Sequence, residues 1–458
     1  MRAPAAPSLV AALLSVSVLA CAWLAPGAAQ AQDYIPDLSC PAVGGRSPAR
    51  RPPSSSDDEI VPFDLDALGD ASEPAPDADP QLAEQFRPGV AGVRGPGIRR
   101  LAIWGDSHIA SGVFGDELRR ILGLGGIDTG TAFIPPFMAR RGVRVPVRAF
   151  CVGSAWSLSM AYVSRTEVNA GPALAEMRVD GNPDGAYLWL DLRGAEREPE
   201  ALRLRMLYRP MAGEAEIAVS VNEGPEESYF LEAASEFDEP APKEIYFEDG
   251  DLLSTVKIRV VAGQVALQGF FVDKVIEPSL TVDVFGIPGA TANGWAVVNP
   301  AHLSAAFYER GYDAVVLEFG TNEAAGDFDP ARYAQMLDRA LMNMRRVFPD
   351  AACLLVGAPD RGTVVRRKRG SRRGASPSVD QLLRFSRIHA QINEIQAEVG
   401  ATFGCSAWDW QRAMGGPGSA YRWSRMSPPL MSGDLIHLTA PGYRRSAGAL
   451  ARHLGWGQ

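Results

Sequence analysis

Leu101-Ala102-Ile103-Trp104-Gly105-Asp106-Ser107-His108 decides how this chain is read. Four apolar residues predict a strand buried on both faces, and the Gly-Asp-Ser turn that follows opens a helix. In an open α/β sheet, ligands collect at the carboxyl ends of the strands, where the first turn of a helix offers N–H donors to an anion. Ser107 therefore stands where a nucleophile is useful. Alone, the four-letter string is equally an ordinary capped turn.

Three further segments supply what acyl transfer needs. A serine hydroxyl requires an adjacent base, and the base requires a partner that holds its tautomer. Asp434-Leu435-Ile436-His437 sets a carboxylate and an imidazole three residues apart, in a turn ahead of the helical stretch that begins at Ala440. The carboxylate can meet Nδ1 while Nε2 faces Ser107. Only five histidines compete for the role of base. His302, His389 and His453 fall in amphipathic helical stretches and are expected in the core or on the surface. His108 neighbours the nucleophile, but adjacent residues on a strand-to-helix turn point apart. A tetrahedral oxyanion also needs donors. The candidates are the backbone N–H groups of Ser107 and Gly289, within Gly286-Ile287-Pro288-Gly289-Ala290-Thr291, and the side chain of Asn322, within Gly320-Thr321-Asn322-Glu323. Gly289 and Asn322 each have a plainer reading as turn residues after a strand.

In this order the four segments resemble the blocks of the SGNH (GDSL-type) hydrolase superfamily. The resemblance implies an α/β fold with a flavodoxin-like, three-layer parallel sheet. It also implies a catalytic triad of Ser107, His437 and Asp434, and an oxyanion hole of Ser107, Gly289 and Asn322. One departure is Glu323, where many members carry Asp. No Gly-x-Ser-x-Gly elbow, His-Glu-x-x-His helix, Cys-x-x-Cys pair or phosphate-binding glycine loop occurs, so no metal and no other cofactor is expected.

Residues 1–31 read as a secretory signal peptide, with Arg2, an apolar run from Leu9 to Leu24 and the cleavage site Ala29-Gln30-Ala31. Cleavage after Ala20 with a lipid on Cys21 is the alternative, and Ala29-Gln30-Ala31 is the better site. A periplasmic or extracellular protein with no transmembrane segment after cleavage is expected. Removal of the signal leaves Cys40, Cys151, Cys353 and Cys405. The expected pairs are Cys353 with Cys405 and Cys40 with Cys151, against a buried free thiol at Cys353. A net charge of −9 argues against nucleic acid as a partner.

Residues 32–95 are rich in Pro, Ser, Ala and Asp and read as a low-complexity arm, mostly disordered, with a short docked piece near Phe63 to Leu68. The hydrolase domain is expected in two parts, 96–142 and 281–458. Its second part reads as strands at Thr281–Phe285, Tyr312–Phe319, Ala352–Gly357 and Thr402–Cys405. Helices fall at Trp295–Glu309, Tyr333–Val347, Gln381–Val399 and Ala440–Leu454. Between the parts, 143–280 alternates with period two, as in Leu202-Arg203-Leu204-Arg205-Met206-Leu207-Tyr208, and predicts an inserted antiparallel, jelly-roll-like β-sandwich.

This layout resembles the peptidoglycan O-acetylesterases of bacterial envelopes. It implies an exported serine esterase acting on an O-acetylated polysaccharide, peptidoglycan foremost. A GDSL-type lipase or arylesterase, an O-acetyltransferase and a non-enzymatic wall-binding protein are the other readings. Trp156, Tyr187, Trp189 and Tyr208 are candidates to stack on sugars, and more ordinarily core residues. The basic stretch Arg361 to Arg373 is a solvated loop or a rim that meets carboxylates. Ala413 to Ser419 is a glycine-dense loop that shapes the acyl pocket.

Overall fold

The computed structural model describes residues 58–60, 68, 79–89, 97–138, 140–194, 197–235, 241–368 and 376–457. The expected signal peptide, Cys21, Cys40, Phe63 and the loop positions Arg369, Arg372 and Arg373 lie outside the described residues. The described part of the arm is built into the protein rather than loose. Asp79 caps a helix, Pro80–Gln85, by accepting from Gln81 and Leu82 N–H, and Pro80 starts it where a missing N–H costs nothing. Leu82 and Phe86 are buried among the hydrolase helices. Residues 58–60 pair antiparallel with 366–368.

The principal sheet is parallel, with strands β1 (Arg100–Gly105), β2 (Leu280–Gly286), β3 (Ala314–Glu318), β4 (Ala352–Val356) and β5 (Ser406–Trp408) in the order β2-β1-β3-β4-β5. A two-residue edge, Thr129–Gly130, joins β2. Alternation of side chains explains the continuous apolar runs. Leu101 and Ile103 pack with Leu118 and Leu450 in one helical layer, while Ala102 and Trp104 pack with Leu337 and Leu341 in the other. Chain order reverses direction at β1, so the crevice beyond its carboxyl end is where such a sheet binds ligands.

Between β1 and β2 the chain leaves to build two antiparallel sheets. One orders strands 227–231, 215–221, 255–262, 187–191 and 149–152; the other orders 243–247, 201–209, 265–274, 175–179 and 157–160. Val152, Leu188, Ile217 and Val260 from the first share a core with Met177, Leu204, Met206 and Phe270 from the second. Phe133–Ile134 already pairs with this second sheet, so the β-rich insertion is entered ahead of residue 143. Buried Asp283 on β2 anchors that departure, accepting from the Ala132 and Phe133 N–H groups and from the Tyr312 hydroxyl. Trp156 and Tyr208 sit in the sandwich core, which removes them as sugar platforms, while Tyr187 and Trp189 are half-buried.

Two helix expectations break in the middle. The stretch from Trp295 divides into Asn293–Val297 and Pro300–Ala306, because Pro300 has no N–H to continue and Asn299 caps the new start. The stretch from Gln381 divides into Val379–Leu382 and Arg384–Thr402. That last helix runs through Thr402, and Gly404 at φ 66° turns the chain, so the strand expected at 402–405 forms at Ser406–Trp408 instead. Cys353 on β4 is joined to Cys405 by a disulfide with Cα atoms 4.6 Å apart, so Cys353 is not a free thiol. Cys151 is also disulfide-bonded.

Candidate active site

β1 ends at Gly105, Asp106 makes the turn, and Ser107 is the first residue of the short helix Ser107–Ala110. Asp106 caps that helix by accepting from His108 N–H at 2.8 Å. The turn is held from behind by β2, because Gly286 lies against the backbone of Ala110; a Cβ there would stand 2.2 Å from Ala110 N. Only a residue without a side chain lets the strand end and the helix approach so closely.

Ser107 Oγ lies 3.0 Å from His437 Nε2, and His437 Nδ1 lies 2.8 Å from Asp434 Oδ2. The Asp434–His437 turn is wound tightly. Asp434 Oδ1 accepts from the N–H groups of Ile436 and His437 and from the Ser432 hydroxyl, and Leu435 takes φ 58°, a conformation costly for leucine. Burial works against the Asp434 charge, yet these donors hold its carboxyl well below the usual carboxylate range. The hydrogen bond to that carboxylate raises the His437 imidazole above its ordinary value.

Gly289, at φ 86°, lies in the loop that the Ile287 N–H ties to Gly105 O at 3.0 Å. Neither the Ser107 nor the Gly289 N–H donates to an acceptor among the described residues. Arg140 donates to Pro288 O at 2.7 Å and Asn293 donates to Tyr162 O, so residues at the insertion's margin fix the Gly289 loop. Asn322 is close by, but its amide nitrogen donates to Ala290 O at 2.8 Å and to Asp106 Oδ2 at 3.1 Å. In this structure it ties the three loops together, with both amide hydrogens taken.

Beneath them lies an acid cluster that sequence reasoning missed. Asp106 and Glu318, at the end of β3, are buried, and Glu323 beside them is half-buried. Burial pushes Asp106 up to about 6 and Glu323 up to about 7, and burial together with the neighbouring Asp106 raises Glu318 well above its ordinary value. Glu323 accepts from Ala292 N–H and Gly320 N–H, so it braces the Gly289 and Asn322 loops rather than facing the nucleophile. The signal for Glu318 was a glutamate closing an otherwise apolar strand, Val315-Val316-Leu317-Glu318.

Three of the other four histidines are held by partners away from the nucleophile. His108 is buried with Nδ1 3.1 Å from the Tyr443 hydroxyl, and burial keeps it well below the ordinary imidazole value. His302 meets Gln268, and His389 Nδ1 lies 2.6 Å from Pro359 O. Residues flanking the glycine-dense loop hold buried Asp360, which accepts from Ala420 N–H and Gln411 Nε2. Among the described residues no group of three or more His, Cys, Asp or Glu is placed to hold a metal, and no helix is long and apolar enough to cross a membrane.

A serine, an imidazole and a carboxylate in hydrogen-bonded series at the carboxyl edge of a parallel α/β sheet define the esterase-type serine hydrolase class. Within that class, a model of the GDSL-like Lipase/Acylhydrolase family matches residues 263–445. Residues 263–445 therefore resemble a GDSL-type hydrolase domain. A solved peptidoglycan O-acetylesterase is similar over 81% of this chain and 92% of its own, at 20% identity and TM-score 0.55. A salicylyl-acyltransferase from a tetracycline biosynthetic pathway matches 68% of this chain and 92% of its own, at 13% identity and TM-score 0.27. A family two carbohydrate esterase from Clostridium thermocellum covers 66% of this chain and 97% of its own, at 10% identity and TM-score 0.24. No curated protein matches the chain.

Proposed function

We propose that the protein is an exported esterase that removes O-linked acetyl groups from a cell-wall polysaccharide, peptidoglycan being the substrate of choice. The observation that carries this reading is the Ser107–His437–Asp434 series, at 3.0 and 2.8 Å, beside two unspent backbone N–H donors. Ser107 Oγ attacks the acetyl carbonyl as His437 Nε2 takes its proton; Asp434 holds the ring and balances the imidazolium. The oxyanion settles on the Ser107 and Gly289 N–H groups, and Asn322 joins when its amide turns from Ala290 O. His437 then gives that proton to the departing sugar oxygen, which leaves as the hydroxyl. Water, deprotonated by the same nitrogen, releases acetate from the acyl-enzyme.

The glycan substrate is supported by layout: the fold shared with a peptidoglycan O-acetylesterase spans the insertion as well as the hydrolase sheet. Residues at the margin of that insertion brace the Gly289 loop, so a sugar chain bound along it would lie against the reacting centre. The Cys353–Cys405 disulfide is the kind kept in an oxidising compartment and supports export. A fluorophosphonate probe tests the chemistry. Mass spectrometry is expected to find one adduct, on the Ser107 peptide, absent from Ser107→Ala and much slower in His437→Ala; labelling elsewhere would overturn the assignment.

A further inference from the structure

The geometry points to Arg361 as the subsite for a carboxylate carried by the sugar whose ester is cleaved, an inference that rests on the esterase reading above. Arg361 follows β4, at the same carboxyl edge of the sheet as Ser107, and its backbone is pinned from three sides. Asp360 is locked by Ala420 and Gln411; Ser386 Oγ donates to Arg361 O; and Gly362 N–H donates to Leu435 O, in the middle of the Asp434–His437 turn. A cation set on such supports is placed relative to the catalytic turn rather than left to wander.

Its guanidinium has almost nothing of its own to bind. It lies over the Phe385 ring at 4.0 Å and makes one long contact, 3.4 Å, to Thr321 O. Its Nε is buried without an acceptor, and no carboxylate pairs with it among the described residues. Arg148, Arg193, Arg209 and Arg310, by contrast, each hold a carboxylate. A partly buried guanidinium that no carboxylate meets directly is a cost that a fold removes unless a ligand supplies the anion. Burial already lowers its hold on the proton, and it is close enough to Asp434 and His437 to influence both.

Gly289, Ser107, Asn322 and Arg361 follow β2, β1, β3 and β4, so their loops leave the sheet edge in that order, and the Arg361 guanidinium reaches back toward Thr321 in the loop after β3. A planar carboxylate there can take two parallel N–H bonds from the guanidinium edge. Such a carboxylate has two sources, the lactyl ether of an acetylated muramic acid residue freed of its stem peptide or the C6 carboxylate of an acetylated uronic acid.

Two matched substrate pairs separate the cases: O-acetylated muramic-acid disaccharide against its methyl amide, and O-acetylated galacturonate oligomer against its methyl ester. Within each pair only the charge differs. The full-length protein is expected to show kcat/KM about 10- to 100-fold higher for the acid in one pair, which identifies the source. Arg361→Gln is expected to bring that ratio to about one, with Arg361→Lys between. A wild-type ratio of one in both pairs overturns the subsite whether or not the variants fold, as does an unchanged ratio in a folded Arg361→Gln. If wild type releases acetate from none of the four, the esterase reading fails and the subsite with it.

Discussion

Leu435 shows what the catalytic turn costs and what it gains. Its positive φ and the three donors on Asp434 Oδ1 force Asp434 Oδ2 and His437 Nδ1 together, and the imidazole becomes more basic as a result. The sign of the pH dependence follows. The base must be neutral, so kcat/KM is full above the His437 pKa and falls tenfold per pH unit below it, with a midpoint above the usual histidine value of about 6.5. Asp434→Asn removes the raising partner. Its midpoint is expected to move down, and kcat to fall by roughly 10³- to 10⁴-fold, in a pH–rate profile of both proteins. A wild-type midpoint unaffected by Asp434→Asn would contradict the assignment. The meeting of Ser107, His437 and Asp434 was legible because few residue types can serve as nucleophile, base or orienting acid. Asn322 was legible as a site residue, but not as a brace, because its partners Asp106 and Ala290 are distant in sequence.

At the scale of elements, the seat of the nucleophile is a close approach of backbone to backbone. A Cβ on Gly286 would lie 2.5 Å from Ala110 Cα, so Gly286→Ala is expected to push the Ser107 helix off the sheet. Stability should fall by about 1–3 kcal/mol and kcat by about 100-fold. Gly123 is the control: nothing lies within 4 Å of a Cβ there, and Gly123→Ala is expected to stabilise by about 0.5–1 kcal/mol. Urea unfolding and initial rates on a small acetyl ester read both effects; equal behaviour of the two variants would refute the packing account. Strand and helix existence was readable because apolar runs of strand length alternate with 3.6-period stretches. Boundaries were not. Pro300 and Asn299 restart a helix within one amphipathic pattern, and the helix ending at Thr402 takes residues that read equally well as strand, since periodicity cannot separate short apolar runs.

Across the whole molecule, two interrupted halves make one hydrolase sheet, and the β-rich insertion that interrupts them braces the Gly289 loop through Arg140 and Tyr162. The insertion was legible from period-two alternation. Its entry at Phe133–Ile134 was not, because a two-residue strand carries no pattern. Nor was the docked helix of the arm, since its local composition is that of a linker and only Leu82 and Phe86 mark it. The Cys353–Cys405 bridge closes a separation of 52 residues, for which chain entropy gives about 4 kcal/mol. The Cys353→Ala/Cys405→Ala protein is expected to lose about 2–4 kcal/mol in urea unfolding, and an unchanged midpoint would show the bridge to be dispensable. The central claim joins this architecture to one reaction, and acetate release tests it most directly. Wild type and Ser107→Ala are compared on O-acetylated peptidoglycan and on acetylated xylan of equal accessibility. Release of acetate from peptidoglycan by wild type, lost in Ser107→Ala, is the predicted result; release from xylan alone, from neither polymer, or undiminished in Ser107→Ala would contradict it.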